Sequence, residues 1–468
     1  METSGNNIGS RSLFYGWLLF AISALTFAGI FAFLIAMART PVIQNLFSGS
    51  DFVRTALVGH VNLAFVIWFL AFEGALWTLS GSLFLKNGTF SVKMGWAGLM
   101  LSAAGTAVII ISTLTGFGRP LFINYIPVLD HPFFYAGLLL IGAGILTTII
   151  NNLLTVWKAR GEAGAGDFAL VRFGLLASSV AALVALACFG LSYYFEAASY
   201  GAVDLETLFW GGGHILQFAN TMAMVSVWLY MAGLISGSAS IRLNYGKAVY
   251  AVFLLFVFLA PFSYLLYDIT SSMHREFFTR LMEFGLGPST GVFAAAILAG
   301  ISADRSRGFI AAFKELPWGK AEFSSLAISM ALFLLGGLIS AAISGYNTKV
   351  PSHYHGAIGG VTMAFMGITY HLIGMLGREV YSKRAARIQP YIYGIGQTLF
   401  ILGMFWAGSH GVARKTFGSA QHLDSTVKVV SMAVFGIGGL MAISGGVVFV
   451  VNAGISLLRG RPATEAAQ

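Results

Sequence analysis

Apolar residues in this chain run in long blocks separated by short polar stretches. A helix needs about 20 mostly apolar residues to cross the hydrocarbon core of a bilayer. Twelve blocks are read as spans: 14–37, 56–83, 93–115, 133–157, 168–195, 207–235, 247–272, 287–303, 322–344, 354–376, 390–408 and 429–457. The block at 247–272 can extend past His274, and the one at 287–303 is short. No polar stretch between them reads as a soluble domain. The pattern therefore predicts an all-α polytopic membrane protein, with residues 1–468 forming a single transmembrane domain. The first block follows Arg11 without a small-residue cleavage site, so it reads as a span and not as a removed signal peptide.

Composition agrees. The chain is 57% hydrophobic and 10% charged, with a mean hydropathy of +0.80, whereas soluble proteins carry roughly 25% charged residues. The net charge of +9 is spread over short loops, which reads as membrane topology and not as nucleic-acid binding. Twelve spans put both termini on one side. With the N-terminus inside, the inner segments hold Arg11, Lys86, Lys93, Lys158, Arg160, Arg172, Arg242, Lys247, Arg305, Arg307, Lys314, Lys320, Arg378, Lys383, Arg384, Arg387, Arg459 and Arg461, roughly two thirds of the 27 Lys and Arg residues. Both termini are thus expected in the cytoplasm, in a membrane such as the bacterial inner membrane. Cys188 is the one cysteine, which excludes a disulfide framework and a thiolate cluster.

Five of the nine histidines fall at one depth. His60 opens the second span, His214 lies early in the sixth, His274 closes the seventh, and His353 and His355 open the tenth. Given the direction of each span, all five sit in the outer third of the membrane. Ionisable residues there mark function by default. His353 and His355 lie about 200° apart around a helix, too far to share one metal easily. They can instead serve two cofactors on opposite faces. Imidazole is the usual proximal haem ligand, so the run from Val350 to Gly356 reads as a helix wedged between two haems. One ring of the pair could share a saturated, low-spin haem with His60. The other could hold an open haem facing His214 and His274, which would bind copper or non-haem iron. His131, His371, His410 and His422 read as packing or span-end residues. Glu73, inside the second span, and Asp268 and Glu283, flanking His274, are candidate proton carriers.

Histidines on spans 2, 6, 7 and 10, the last bearing His-x-His, resemble subunit I of the haem-copper oxidase superfamily, which includes cytochrome oxidases and nitric oxide reductases. The resemblance covers nearly the whole chain. Gly411-Val-Ala-Arg-Lys415 is similar to that family's Gly-Met-Pro-Arg-Arg segment, whose basic pair contacts haem propionates. The resemblance implies that His60 and His355 ligate a low-spin haem, that His353 ligates a high-spin haem, both of b type, and that His214 and His274 hold a second metal. It places Arg414 and Lys415 at the propionates. It implies electrons from a cytochrome c or a membrane-anchored cytochrome c subunit, further small membrane subunits, and reduction of dioxygen to water. Compact length and short loops look most like the C-type oxidases and nitric oxide reductases, so nitric oxide reduction to nitrous oxide is the second reading.

Two departures bear on the reaction. The family carries adjacent histidines on span 7, where this chain has Met273-His274. Either Met273 is a soft ligand that favours copper(I), or the second metal has two histidines, or it is absent. In the last case the chain is a haem-binding electron-transfer or regulatory subunit. Four residues after His214 stands Phe218, where many oxygen reductases place a tyrosine and many nitric oxide reductases a glutamate. Tyr267, two helical turns before His274, is expected to share its face and to be an alternative donor. A twelve-span, non-haem secondary transporter is the reading outside this family. It would place its site near the midplane and show inverted repeats, whereas the polar residues here gather near the outer face and no repeat is visible.

Overall fold

The computed structural model describes residues 5–43, 51–82, 88–159, 168–237, 241–301 and 316–459. Among them twelve helices are long and apolar enough to cross a membrane, the number expected from the sequence. They are α1 Ile8–Arg39, α2 Asp51–Gly81, α3 Val92–Thr115, α4 Pro132–Lys158, α5 Ala169–Tyr200, α6 Leu205–Ser236, α7 Leu243–Leu266, α8 Ser272–Ile301, α9 Ala321–Ser340, α10 Lys349–Met375, α11 Lys383–Ser409 and α12 Thr426–Arg459. Of the basic residues assigned to the inner side, Lys86, Arg160, Arg305, Arg307, Lys314 and Arg461 lie outside the described residues.

Local chemistry sets the helix starts. Ser91, Asp204, Ser271 and Ser382 each accept a hydrogen bond from a backbone N–H in the first turn of the helix that follows, satisfying a donor that the helix itself leaves free. His131 does the same for α4 through its ring, with Pro132 at the first helical position.

Sequence neighbours then pack in pairs: α3 with α4, α5 with α6, α9 with α10, and α11 with α12. The first helix leans on α2 and α12 and so links the two ends of the chain. Lipid offers little hydrophobic reason for helices to associate, so close backbone approach matters. A Cβ on Gly336 of α9 would lie 2.6 Å from the Ala357 nitrogen, and one on Gly356 of α10 would lie 2.5 Å from the Gly336 Cα.

Three helices are central. The most apolar window of α2 is 78% buried, that of α6 83% and that of α10 78%, against 50% or less for every other span. These three carry His60, His214, His353 and His355, each within the first three turns, at what is here called the histidine end of the bundle. A short antiparallel hairpin, β1 Arg119–Leu121 and β2 Val128–Asp130, connects α3 and α4 at the same end.

The seventh and eighth spans differ from the sequence expectation. α7 stops at Leu266, and α8 begins at Ser272 and continues to Ile301. His274 therefore opens the eighth span and does not close the seventh. Pro261 tightens α7 into a 3-10 turn at Ala260–Phe262, and Tyr267 is extended (φ −133°, ψ 147°). Asp268 then accepts from the Thr270 N–H and hydroxyl (2.8 and 2.6 Å), closing a tight turn. Gly287-Pro288 does not stop α8, because a π-turn at Met282–Leu286 shifts the Gly287 N–H onto the Met282 carbonyl and makes room for the proline ring. A second π-turn, Asn62–Ile67, follows His60.

Replacing Gly356 by Leu is expected to push α9 from α10 at a cost of about 1–3 kcal/mol and to lower the thermal unfolding midpoint of the purified protein. A Gly337→Leu variant is the control, because its Cβ meets nothing within 4 Å. Equal midpoints for the two variants would mean that this contact does not hold the helices together.

Candidate functional site

Each candidate imidazole can be described by what holds its two nitrogens. His60 Nδ1 lies 3.0 Å from the Ala28 carbonyl of α1, and His353 Nδ1 lies 2.8 Å from the Gly336 carbonyl of α9. His214 Nδ1 lies 2.8 Å from the Trp210 carbonyl one turn back on α6. A carbonyl can only accept, so all three rings carry their proton on Nδ1 and keep a lone pair on Nε2, the arrangement that suits a metal ligand. His274 Nδ1 is 2.7 Å from the Ser263 hydroxyl of α7, while its Nε2 is buried without a partner among the described residues. A buried polar atom left bare is costly, and a ligand there would relieve that cost.

The rings come in pairs. His60 and His355 lie within electrostatic range of each other, as do His214 and His274. No group of three His, Cys, Asp or Glu side chains able to hold a metal gathers among the described residues. His353 and His355 turn to different neighbours, His353 to α9 and His355 to Phe400 of α11 (4.8 Å between ring centres). Among the described residues no hydrogen bond or ring contact joins His353 to the His214–His274 pair.

Aromatic rings and a buried cation border His355. Phe400 packs on Phe435 at 4.5 Å, and the Arg39 guanidinium lies 5.4 Å from the Phe435 ring and 5.9 Å from that of Phe417. Nε and Nη2 of Arg39 are buried with no partner, and the group is within electrostatic range of His355. A flat aromatic macrocycle with anionic substituents fits such surroundings. The donor set of His60, His353 and His355 therefore suits haem iron, and His214 with His274 supplies two imidazoles for a second metal.

The run Gly211-Gly-Gly-His214 has a reason the sequence did not reveal. In sequence it reads either as a place where a cofactor nears the backbone or as span-end flexibility, yet each glycine seats an aromatic side chain. A Cβ on Gly211 would lie 2.3 Å from the Tyr264 hydroxyl, one on Gly212 2.3 Å from Phe189 Cδ1, and one on Gly213 2.4 Å from Tyr125 Cγ. Tyr264 packs edge-on against His274 at 4.9 Å; its hydroxyl donates to the Cys188 carbonyl (3.1 Å) and lies 2.9 Å from Ser192 Oγ. Sequence reasoning missed Tyr264, Ser263 and Tyr125. The Ser271 cap, read as a helix start, would have exposed the first two.

Other expected residues fall elsewhere. Met273 is 54% exposed, whereas its neighbour His274 is buried, and among the described residues no contact joins its sulfur to the His214–His274 pair. Tyr267 does not share a face with His274, because the turn at 267–271 separates their helices; its ring packs on Phe277 at 5.9 Å. Phe218 is buried against Phe253. Asp268 holds that turn and Glu283 pairs with Arg280 at 2.7 Å, whereas both carboxyl oxygens of Glu73 are buried and unpartnered. Arg414 donates to Asn124 Oδ1 (2.7 Å) and Tyr346 (3.2 Å), with its Nε buried and bare. Lys415 donates to the Phe122 carbonyl. Burial, with Arg414 beside it, pushes the Lys415 ammonium down to about 8 against the opposing pull of Glu206. An anion between these two cations would relieve their repulsion, as a propionate does.

Comparison with known proteins resolves the affiliation. The profile of the family described as "Cytochrome C and Quinol oxidase polypeptide I" matches residues 13–448. The chain belongs to that family. It is 28% identical to an uncharacterized protein of Rickettsia prowazekii (strain Madrid E), over 96% of this chain and 97% of that one. It is also 28% identical to an uncharacterized protein of Aquifex aeolicus (strain VF5), over 80% and 88%. A heme-copper terminal oxidase dimer solved by cryo-EM superposes with a TM-score of 0.79 at 17% identity, covering 96% of this chain and 84% of that one. Membership in the polypeptide I family and this common fold make the chain a haem-copper oxidase subunit I, and the family is one of oxidoreductases that bind haems and a second metal.

Ser263→Ala removes the hydroxyl that orients His274. It is expected to weaken retention of the second metal by roughly 10–100-fold in metal analysis of the purified protein, whereas Met273→Leu leaves metal content unchanged. Loss of metal on Met273→Leu would restore the thioether as a ligand.

Proposed function

We propose that the chain is the catalytic subunit I of a membrane terminal reductase that reduces dioxygen to water. The observation that carries this reading is the set of buried and half-buried imidazoles at one end of the bundle, with Nδ1 of His60, His214 and His353 held by protein carbonyls and Nε2 left for a metal. In this reading His60 and His355 hold a low-spin haem, His353 a high-spin haem, and His214 and His274 copper or non-haem iron. These groups would supply electron transfer and diatomic binding. The Ala28 and Gly336 carbonyls fix two of the ligand rings, and Arg414 and Lys415 receive the haem carboxylates at the histidine end. Electrons arrive there from a cytochrome c or a haem-bearing membrane subunit. The histidine end faces outward, with both termini in the cytoplasm of a bacterial inner-membrane topology. Glu73, buried with bare oxygens, is a group able to hold a proton between the other end and the site.

The exposed Met273 supports a second reading. With two imidazoles as its whole donor set the second metal is weakly held, and a chain without it is an electron-transfer subunit. Phe218, which puts neither a phenol nor a carboxyl beside His214, favours neither dioxygen nor nitric oxide, so nitric oxide reduction is tested in parallel.

The purified protein is expected to contain two haems per chain and a second metal, and to consume dioxygen faster than nitric oxide. His60→Ala and His355→Ala should each abolish the bis-imidazole haem spectrum, and His353→Ala should abolish carbon monoxide binding by the reduced protein. A protein without a Soret band would sink the whole reading. Two haems without another metal would leave the electron-transfer reading.

A further inference from the structure

Tyr125 sits at the tip of the β1–β2 hairpin with a backbone that tyrosine disfavours. Its φ is +66°, and the Ile126 N–H reaches back to the Asn124 carbonyl at 2.9 Å. This is a γ-turn of the rare, strained kind. A bulky residue persists in such a conformation only where its surroundings over-determine it, and such strain concentrates at functional sites.

The surroundings do over-determine it. The Asn124 backbone N–H donates to Glu206 Oε2 at 2.9 Å, and its side-chain amide donates to Glu206 Oε1 at 2.5 Å. Arg414 holds the Asn124 oxygen. Asn62, two residues after His60, donates to the Pro127 carbonyl at 2.7 Å. The loop is thereby tied to α2, to α6 and to the segment before α12. Its tip delivers the Tyr125 ring onto His214, with ring centres 4.8 Å apart and tilted by 52°. Gly213 is the seat that permits this approach. Burial, and after it the nearby Glu206 carboxylate, push the phenol up.

His214 needs such a neighbour. His60 and His353 are oriented by carbonyls of other helices, whereas among the described residues His214 bonds only to its own helix, one turn back. Its imidazole is confined instead by Trp210 at 4.6 Å, by Tyr125, and by Phe278 at 5.8 Å. Trp210 rides on the same helix, so an external reference for the ring plane comes from the hairpin and α8. We propose that Tyr125 is a positioning residue, held in a strained turn by Glu206 and Asn124, whose ring sets the orientation of the His214 imidazole toward its metal. This inference rests on the reading of His214 as a metal ligand.

The test compares Tyr125→Gly and Tyr125→Phe with the wild-type full-length protein. Glycine accepts a positive φ, so Tyr125→Gly removes the ring without adding backbone strain, and its thermal midpoint and haem spectrum should match the wild type. Two readouts report on His214: the dissociation constants of copper(I) and of iron(II), each added alone to metal-depleted protein, and deuterium exchange at the His214 ring C2 position, followed by mass spectrometry. Tyr125→Gly is expected to weaken metal binding by roughly tenfold and to speed exchange at His214, and Tyr125→Phe is expected to restore both. Wild-type values in Tyr125→Gly, or a Tyr125→Phe variant as impaired as Tyr125→Gly, would overturn the proposal. A wild-type protein that binds neither metal would overturn the second-metal assignment and not this one, because faster exchange in the glycine variant, reversed by phenylalanine, still establishes the positioning role.

Discussion

A buried imidazole has two nitrogens to satisfy, and this bundle satisfies one of them with protein. The Nδ1 contacts of His60 to Ala28 and of His353 to Gly336 are bonds between helices, so ligand orientation and helix packing are one property. Gly336 makes this plain. The absence of its side chain lets α10 approach, and its carbonyl then meets His353. Most of the architecture follows from bringing α2, α6 and α10 to the centre, where backbone carbonyls and aromatic side chains border the rings.

The divergence of His353 and His355 was legible in the sequence because it depends on spacing. Two histidines at i, i+2 must diverge on any helix, and His353 and His355 turn toward α9 and α11 as that requires. Twelve spans were legible because hydrocarbon thickness imposes a length. The boundary of α7 and α8 was not, since the polar run Ser271–Glu283 and the Gly287-Pro288 pair both imitate a loop. The cap chemistry of Asp268 and Ser271 outweighs hydropathy there, and a π-turn absorbs the proline.

What the sequence concealed was orientation. Backbone carbonyls have no residue identity, so nothing in the letters pairs Ala28 with His60. The tyrosine against His214 comes from the remote hairpin and the one against His274 from the end of α7, and the glycines of α6 that seat both rings are one local trace. Met273, conspicuous in sequence as a replacement for histidine, is exposed where its neighbour His274 is buried. The open chemical question thus moves from a thioether ligand to whether two imidazoles suffice.

The bond between His60 and Ala28 joins α1 and α2, whereas His355 lies on α10, much later in the chain. During synthesis the His60 ring can be oriented by Ala28 while His355 does not yet exist. A cofactor shared by these two rings can be seated only after most of the chain has entered the membrane. Assembly therefore favours a preformed half-site that waits, and the Ala28 carbonyl keeps it in register.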